Sequence, residues 1–269
     1  MVWGNITRPE DVQAAIDNVD CVIHMAAILP PTAYEKPELA FRVNVGGTTN
    51  LVEAIKKSGR KIPLIYTSSA AAFGPTPRAT ELLCPEKTDS HPVGPYGESK
   101  HEAEKVIKQA GIDYLILRLT ATMYLSFEFS DFKRMFTVPL TNRVEYCHPY
   151  DTARAIVNAI VNFDLLKGET LIIAGGASQR MLYKEMLKKM LGVYGLPLPP
   201  DHKFTLEPYY LDWYDTSRSQ RLLHYQQKTF EDFIKDLAEQ INKKYSALFI
   251  PLMRYFIGPA FGKLIVRSI

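Results

Sequence analysis

Four short runs in this chain are apolar at nearly every residue: Asp20-Cys-Val-Ile-His-Met25, Ile62-Pro-Leu-Ile-Tyr-Thr67, Tyr114-Leu-Ile-Leu-Arg-Leu119 and Thr170-Leu-Ile-Ile173. A strand wetted on one face alternates apolar and polar residues. A run without that alternation suits a strand covered on both faces, as in a parallel sheet between helix layers. The intervening stretches 10–18, 37–58, 96–110 and 151–162 carry helical patterns. Strand and helix in alternation predict βαβ units and a doubly wound parallel sheet of the α/β class, a Rossmann-type body. Beyond about residue 178 the pattern turns mainly helical, broken at Leu196-Pro-Leu-Pro-Pro200. The expected organisation is a Rossmann-type body over residues 1–177 and a smaller helix-rich lobe with an apolar tail over 178–269.

Composition removes several classes of function. Of 269 residues 46% are apolar, enough for a substantial core, and the net charge of +3 leaves no electrostatic footprint for nucleic acid. Cys21, Cys84 and Cys147 stand far apart with no Cys-x-x-Cys pair, which reads as reduced thiols of a cytoplasmic protein. The opening residues Gly4, Asn5 and Arg8 carry no apolar run of the signal-peptide kind. His148, His202 and His224 lack the partner spacing of a metal site, so no metal is expected. Asp151, ahead of Thr-Ala-Arg-Ala-Ile, reads as a helix N-cap. Ala174-Gly-Gly-Ala-Ser178 reads as a turn, and Lys184, Lys188 and Lys189 as a solvated helix face.

The chemistry concentrates in Gly94-Pro-Tyr-Gly-Glu-Ser-Lys-His-Glu-Ala-Glu104. Tyr96 and Lys100, at i and i+4, share one helical face a turn apart. A free phenol with a pKa near ~10 is a poor acid or base at neutral pH. A neighbouring ammonium favours its ionised form and brings proton exchange with a substrate hydroxyl within reach. Such a pair alone is commonplace on helix surfaces. Here it follows a strand that runs into Ser68 and Ser69, and ligands of open α/β sheets bind at the carboxyl ends of the strands. A serine hydroxyl at that edge can donate to a substrate oxygen as charge develops on it.

Further segments stand in a fixed order around these three residues. They are Val22-Ile-His-Met-Ala-Ala27, Val43-Asn-Val-Gly-Gly-Thr-Thr-Asn-Leu-Val-Glu-Ala54, Tyr66-Thr-Ser-Ser-Ala-Ala-Ala-Phe-Gly74, Leu117-Arg-Leu119, His148-Pro-Tyr-Asp-Thr-Ala-Arg-Ala155 and Asp215-Thr-Ser-Arg-Ser-Gln-Arg-Leu-Leu223. In that order the chain resembles the extended short-chain dehydrogenase/reductases, the NAD(P)-dependent epimerase/dehydratase group. The resemblance implies catalytic roles for Ser69, Tyr96 and Lys100. It implies NAD or NADP as cofactor and a small-molecule substrate changed by hydride transfer at a C–OH/C=O, on a nucleotide sugar or a small ketone or alcohol. It places the cofactor against Asn5, Ile6, His24, Met25, Ala26, Ala27, Asn44, Thr67, Ser68, Leu119 and Thr122, as well as Tyr96 and Lys100. Asn5 stands where the family carries aspartate, and Leu119 where it carries proline.

No Gly-x-x-Gly-x-x-Gly or Gly-x-Gly-x-x-Gly occurs. The fold's phosphate-binding turn belongs to the first βα unit, so the expectation is a fragment that begins inside the fold, near the end of a third strand. The strand at Cys21 would then keep an open edge. A non-catalytic binding or assembly protein that lost its cofactor unit is the alternative. Residues 126–147 and the segment after Ser178 are expected to form the substrate pocket. Their aromatics, Phe127, Phe129, Phe132, Phe136, Tyr209, Tyr210, Trp213 and Tyr214, read either as an apolar pocket or as lobe core. The apolar stretch 247–266 leaves three alternatives: packing on the body, a homodimer contact, or a peripheral anchor at a membrane surface.

Overall fold

The structure is a computed structural model that describes residues 3–76, 81–85, 87–123 and 134–244. In chain order the body comprises α1 (Pro9–Ile16), β1 (Val22–His24), α2 (Thr32–Glu35), α3 (Pro37–Phe41), a π turn (Arg42–Gly46), α4 (Gly47–Lys57) and β2 (Leu64–Ser69). A 3-10 turn (Ala70–Ala72), α5 (Gly94–Gln109) and β3 (Tyr114–Leu119) follow, then β4 (Arg143–Glu145), α6 (Pro149–Val161), α7 (Phe163–Leu166) and β5 (Thr170–Ile173). The lobe adds β6 (Arg180–Leu182), α8 (Tyr183–Val193), α9 (Ser217–Leu223) and α10 (Phe230–Lys244).

The four apolar runs form one parallel sheet in the order β1-β2-β3-β5, with Leu64 opposite Tyr114 and Leu117 opposite Leu171. Neighbouring residues of a strand face opposite sides, and here both sides are dry. Leu64, Tyr66 and Ile116 pack against Val12, Ile16, Leu51, Ile55 and Ile107 from α1, α4 and α5. Ile65, Leu115 and Leu117 pack against Ala155, Ile156, Ala159 and Phe163 from α6 and α7. The expected doubly wound arrangement is present. β1 is shorter than its apolar run, and among the described residues it pairs with β2 alone. Ile23 within it and Met25 just after it are open, at 39% and 60% exposure.

Two expectations need correcting. The helix read over 37–58 is interrupted by the π turn at Arg42–Gly46, a device that shifts one side chain out of the α register. Asp151 is not the N-cap of α6. His148 caps it, its Nδ1 accepting from the Tyr150 N–H at 3.2 Å. Asp151 instead lies fully buried in the first turn, where Oδ2 accepts the N–H groups of Gln227 and Lys228, both at 2.9 Å. Its Oδ1 takes Arg154 at 2.8 Å. Asp151 therefore ties the body to the segment leading into α10.

The lobe is built on the antiparallel pairing of β6 with β4, a strand lent by the chain ahead of residue 177. Its core joins Met135, Phe136, Val144 and Tyr146 to Met186, Leu187, Phe204, Phe230, Phe233 and Leu237. Leu223 and Tyr225 pack back into the body, so contacts cross residue 177 in both directions. Ala174–Ser178, expected as a turn, is an irregular link from β5 that runs into a 3-10 turn at Ala177–Gln179. A Cβ on Gly175 would lie 2.1 Å from the Tyr146 carbonyl, so only glycine lets the two segments approach this closely. Lys184 and Lys189 form exposed ion pairs with Asp201 and Glu231. Among the described residues no helix is long and apolar enough to cross a membrane. The stretch 247–266 and Phe127, Phe129 and Phe132 lie outside the described residues.

Candidate active site

β2 delivers Thr67, Ser68 and Ser69 to the carboxyl edge of the sheet, all of them buried. Ser69 is extended and caps the 3-10 turn, its Oγ accepting from the Ala71 N–H at 3.1 Å. A hydroxyl that accepts in this way keeps its own O–H to donate. α5 meets this turn closely. A Cβ on Gly97 would lie 2.6 Å from the Ala71 carbonyl, so glycine there lets the first turn of α5 press onto the segment that follows Ser69. As a result Ser69 and Tyr96 line one cavity of about 330 Å³, together with Leu119, Thr120 and Thr122 from the end of β3.

Lys100 sits one turn beyond Tyr96 and is 3% exposed. Its Nζ donates to the Thr67 carbonyl at 2.8 Å and lies 4.8 Å from the centre of the Tyr66 ring. Burial lowers its pKa to about 8, a shift that the nearby Glu104 carboxylate opposes. The ammonium is thus still the main form at neutral pH.

Behind the lysine stands a buried charge network. Glu104 accepts the Ser68 hydroxyl at 2.6 Å and both arms of Arg118, Nε at 2.9 Å and Nη2 at 2.8 Å. Burial pushes the Glu104 carboxyl up, but the Arg118 and Ser68 hydrogen bonds outweigh it and hold the group below the usual carboxylate range. Arg118 also donates to Ser90 at 3.0 Å and lies 4.3 Å over the Phe73 ring, fastening the chain between β2 and α5.

Asn44, inside the π turn, exchanges hydrogen bonds with both backbone groups of Ile28 (2.7 and 3.1 Å) and donates to Ser99 Oγ at 2.9 Å. It clamps the loop after β1 to α5. His24 is buried between Thr48, at 2.9 Å from Nε2, and the Tyr66 ring. Burial, then the Lys100 charge, lowers its pKa to about 3, so the ring is neutral.

The residues expected at the site divide into groups. Ser69, Tyr96, Leu119 and Thr122 line the cavity, whereas Lys100 and Thr67 are buried outside its lining and bonded to each other. Met25 and Ala26 are exposed after β1 and Ala27 is half-buried. Ser68 spends its hydroxyl on Glu104, and its backbone lies in the β2–β3 ladder opposite Arg118. Asn5 and Ile6 are not at the cavity. Asn5 Oδ1 accepts from Thr7 N–H and Oγ1 at 3.0 and 2.8 Å, and Ile6 packs against Gly47 of α4. The aromatic cluster also splits. Tyr209 and Tyr210 line the cavity, Phe136 and Tyr214 are buried core, and Trp213 carries the Arg143 guanidinium 4.2 Å above its ring.

One feature escaped the sequence reading. The Glu104–Arg118 pair had a signal, since Glu104 stands at i+4 from Lys100 on its inner face. The far wall of the cavity comes from Met123 and from Met135, Tyr183, Met186, Leu187 and Met190, the last five within the segments named above for the pocket, and 183, 186, 187 and 190 follow helical spacing on α8.

The chain is similar to several known proteins. UDP-glucose 4-epimerase of Lactobacillus helveticus is 36% identical over 107 residues, 38% of this chain and 31% of that protein. Rat 3 beta-hydroxysteroid dehydrogenase type 7 is 32% identical over 115 residues, 40% of this chain and 33% of that protein. The matched stretch thus spans about a third of these relatives. RMD from Pseudomonas aeruginosa, solved with NADPH, superposes with a TM-score of 0.76 at 17% identity, covering 90% of this chain and 88% of that one. UDP-glucose 4-epimerase of Thermotoga maritima, solved with UDP-glucose, gives 0.73 at 20% identity, over 90% and 84%. These two superpositions establish the shared fold. Residues 1–174, well over half of the sequence, match the family model itself, and the chain belongs to the NAD dependent epimerase/dehydratase family.

Proposed function

We propose that the protein is an NAD(P)-dependent oxidoreductase or epimerase that acts by hydride transfer at a C–OH/C=O of a small molecule. The observation that carries this reading is the meeting of Ser69 and Tyr96 on one cavity, with the Lys100 ammonium held at the adjoining strand end. Ser69 donates to the substrate oxygen, and Tyr96 takes or returns its proton. Lys100 keeps positive charge below them, which favours the phenolate form of Tyr96 when the proton leaves.

An ammonium has three N–H donors and Lys100 spends one on Thr67. The remaining donors, buried beside Tyr96, suit a diol such as the ribose next to a nicotinamide. Leu119 and Thr122 would flank the nicotinamide, and the small residues Ala26 and Ala27 leave room at the end of β1. A glycine-rich phosphate turn is not among the described residues. When bound, a nicotinamide dinucleotide supplies the two-electron donor or acceptor for the hydride. A non-catalytic role is disfavoured because a buried cation without a bonded carboxylate costs stability, a cost that a role in the reaction accounts for. The three cysteines, none of them in a disulfide, accord with a cytoplasmic enzyme. We divide the chain into a cofactor body over 1–177 and a substrate lobe over 178–269, with residues 134–146 lent to the lobe's wall.

The relatives' names leave the substrate open between a sugar nucleotide and a ring alcohol. The reading is tested by nicotinamide-linked turnover of the wild type against Ser69→Ala. Loss of one donor to the reacting oxygen should cost on the order of 10²-fold in kcat. An unchanged kcat would remove Ser69 from the reaction.

A further inference from the structure

The cavity has two unlike ends. At one lie Ser69 and Tyr96; the remainder is walled by Met123, Met135, Met186 and Met190 with the tyrosines 183, 209 and 210. Met135, Met186 and Met190 are at most 6% exposed, and Tyr183, Met186, Leu187 and Met190 form one face of α8. Each phenol oxygen of this wall already has a partner within the protein. Tyr183 donates to the Met135 carbonyl at 3.1 Å, and Tyr209 donates to Tyr210 Oη at 3.0 Å with the two rings stacked at 4.2 Å. Burial raises the pKa of all three phenols, so they are neutral.

A nucleoside diphosphate would need the opposite surface, namely cations in a fork or free N–H groups at a helix start. Among the described lining residues the sole cation is Arg134, which is exposed. The helix start nearest this wall is closed to anions: Tyr183 N–H donates to the Asn142 carbonyl at 2.8 Å and Lys184 N–H to that of Leu140 at 3.0 Å. A volume of about 330 Å³ lies at the small end of ligand pockets, which run from ~300 to ~1,000 Å³. Thioethers are polarisable and adjust to a ring edge.

We propose that this site takes an uncharged, largely apolar alcohol or ketone of two or three rings. Its reacting oxygen lies at Ser69 and Tyr96 and its hydrocarbon rests on the methionine and tyrosine wall. The inference rests on the reading of Ser69 and Tyr96 as the reacting end, and selects among the substrates that reading allows.

Calorimetric titration of the full chain with 2-decalol and 4-phenylcyclohexanol, against UDP-glucose, tests it. Saturable binding of at least one neutral probe is expected, at least about tenfold weaker in Met186→Lys and changed less than about twofold in Arg134→Ala. The second variant removes an exposed side chain, so it reports even if a lysine in the wall disturbs folding. Absence of saturable binding by both neutral probes overturns the proposal. So does binding of UDP-glucose that Arg134→Ala weakens tenfold. The two readings fail separately. A neutral probe that binds in the wild type and in Tyr96→Phe, yet is never converted with either nicotinamide dinucleotide, upholds the ligand class and removes the redox reading. Tyr96-dependent conversion of UDP-glucose does the reverse.

Discussion

The two walls of the cavity are made in different ways. The wall from β2 and α5 is held by short directional bonds, Ser68 to Glu104 at 2.6 Å, Lys100 to Thr67 at 2.8 Å and Asn44 to Ile28 at 2.7 Å. The wall from α8 and residues 209–211 is held by packing of methionine, leucine and tyrosine. Hydrogen bonds fix direction to a fraction of an ångström, whereas flexible thioethers fix volume and leave direction loose. One wall therefore sets where a proton can move, and the other sets what shape can lie beside it. Substitutions in the first should change rates sharply with little regard to substrate. Those in the second should re-rank substrates.

The largest expected effect belongs to Lys100→Met, which removes the buried charge but keeps most of the side-chain volume. Turnover should fall by at least ~10²-fold, and the nicotinamide dinucleotide should bind more weakly in titration. Unchanged cofactor affinity would limit Lys100 to Tyr96 alone. Next comes Glu104→Ala, which leaves Arg118, 4% exposed, without its carboxylate. Breaking such a buried pair costs about 3–5 kcal/mol, measurable by urea unfolding. A loss under about 1 kcal/mol would mean that the network is not what anchors α5.

The pH dependence is smaller and has a definite sign. The Lys100 pKa is lowered by burial to about 8, so its charge is present below that pH and lost above it. Reduction of a ketone, which needs a protonated Tyr96 beside a charged Lys100, should have a kcat/KM that is level on the acid side and falls above about pH 8. A profile still level a full pH unit higher would contradict the assignment. The smallest effect is expected from Met190→Leu on the far wall. A volume-conserving swap costs less than ~1.5 kcal/mol of stability. Here kcat should stay within about threefold while the KM values of ring substrates change order.

What could be read in advance follows the same division. The four strands were legible because each is a continuous apolar run, and Ser69, Tyr96 and Lys100 because a strand end and an i, i+4 pair are local signals. The π turn was not, because Arg42-Val-Asn-Val-Gly46 reads like ordinary helix. Asn44 there bonds to the backbone of Ile28, 16 residues away. Asp151 was misread as a cap for a similar reason, since its partners Gln227 and Lys228 lie 76 and 77 residues further on. Ser68 resembles its neighbour Ser69 in sequence, yet strand alternation turns its hydroxyl to Glu104. The methionine wall gathers residues from 123 to 211, and only the α8 part has a period to reveal it.

The central claim is that Tyr96 exchanges the proton at a reacting oxygen, with Ser69 and Lys100 assisting, while the methionine and tyrosine wall only holds the substrate. The most direct measurement is kcat/KM for nicotinamide-linked reduction of a neutral cyclic ketone by Tyr96→Phe, with cofactor Kd measured in parallel. Removal of the hydroxyl alone should lower kcat/KM by at least ~10²-fold while cofactor Kd stays within about threefold. A variant that keeps more than about a tenth of wild-type kcat/KM would contradict the account.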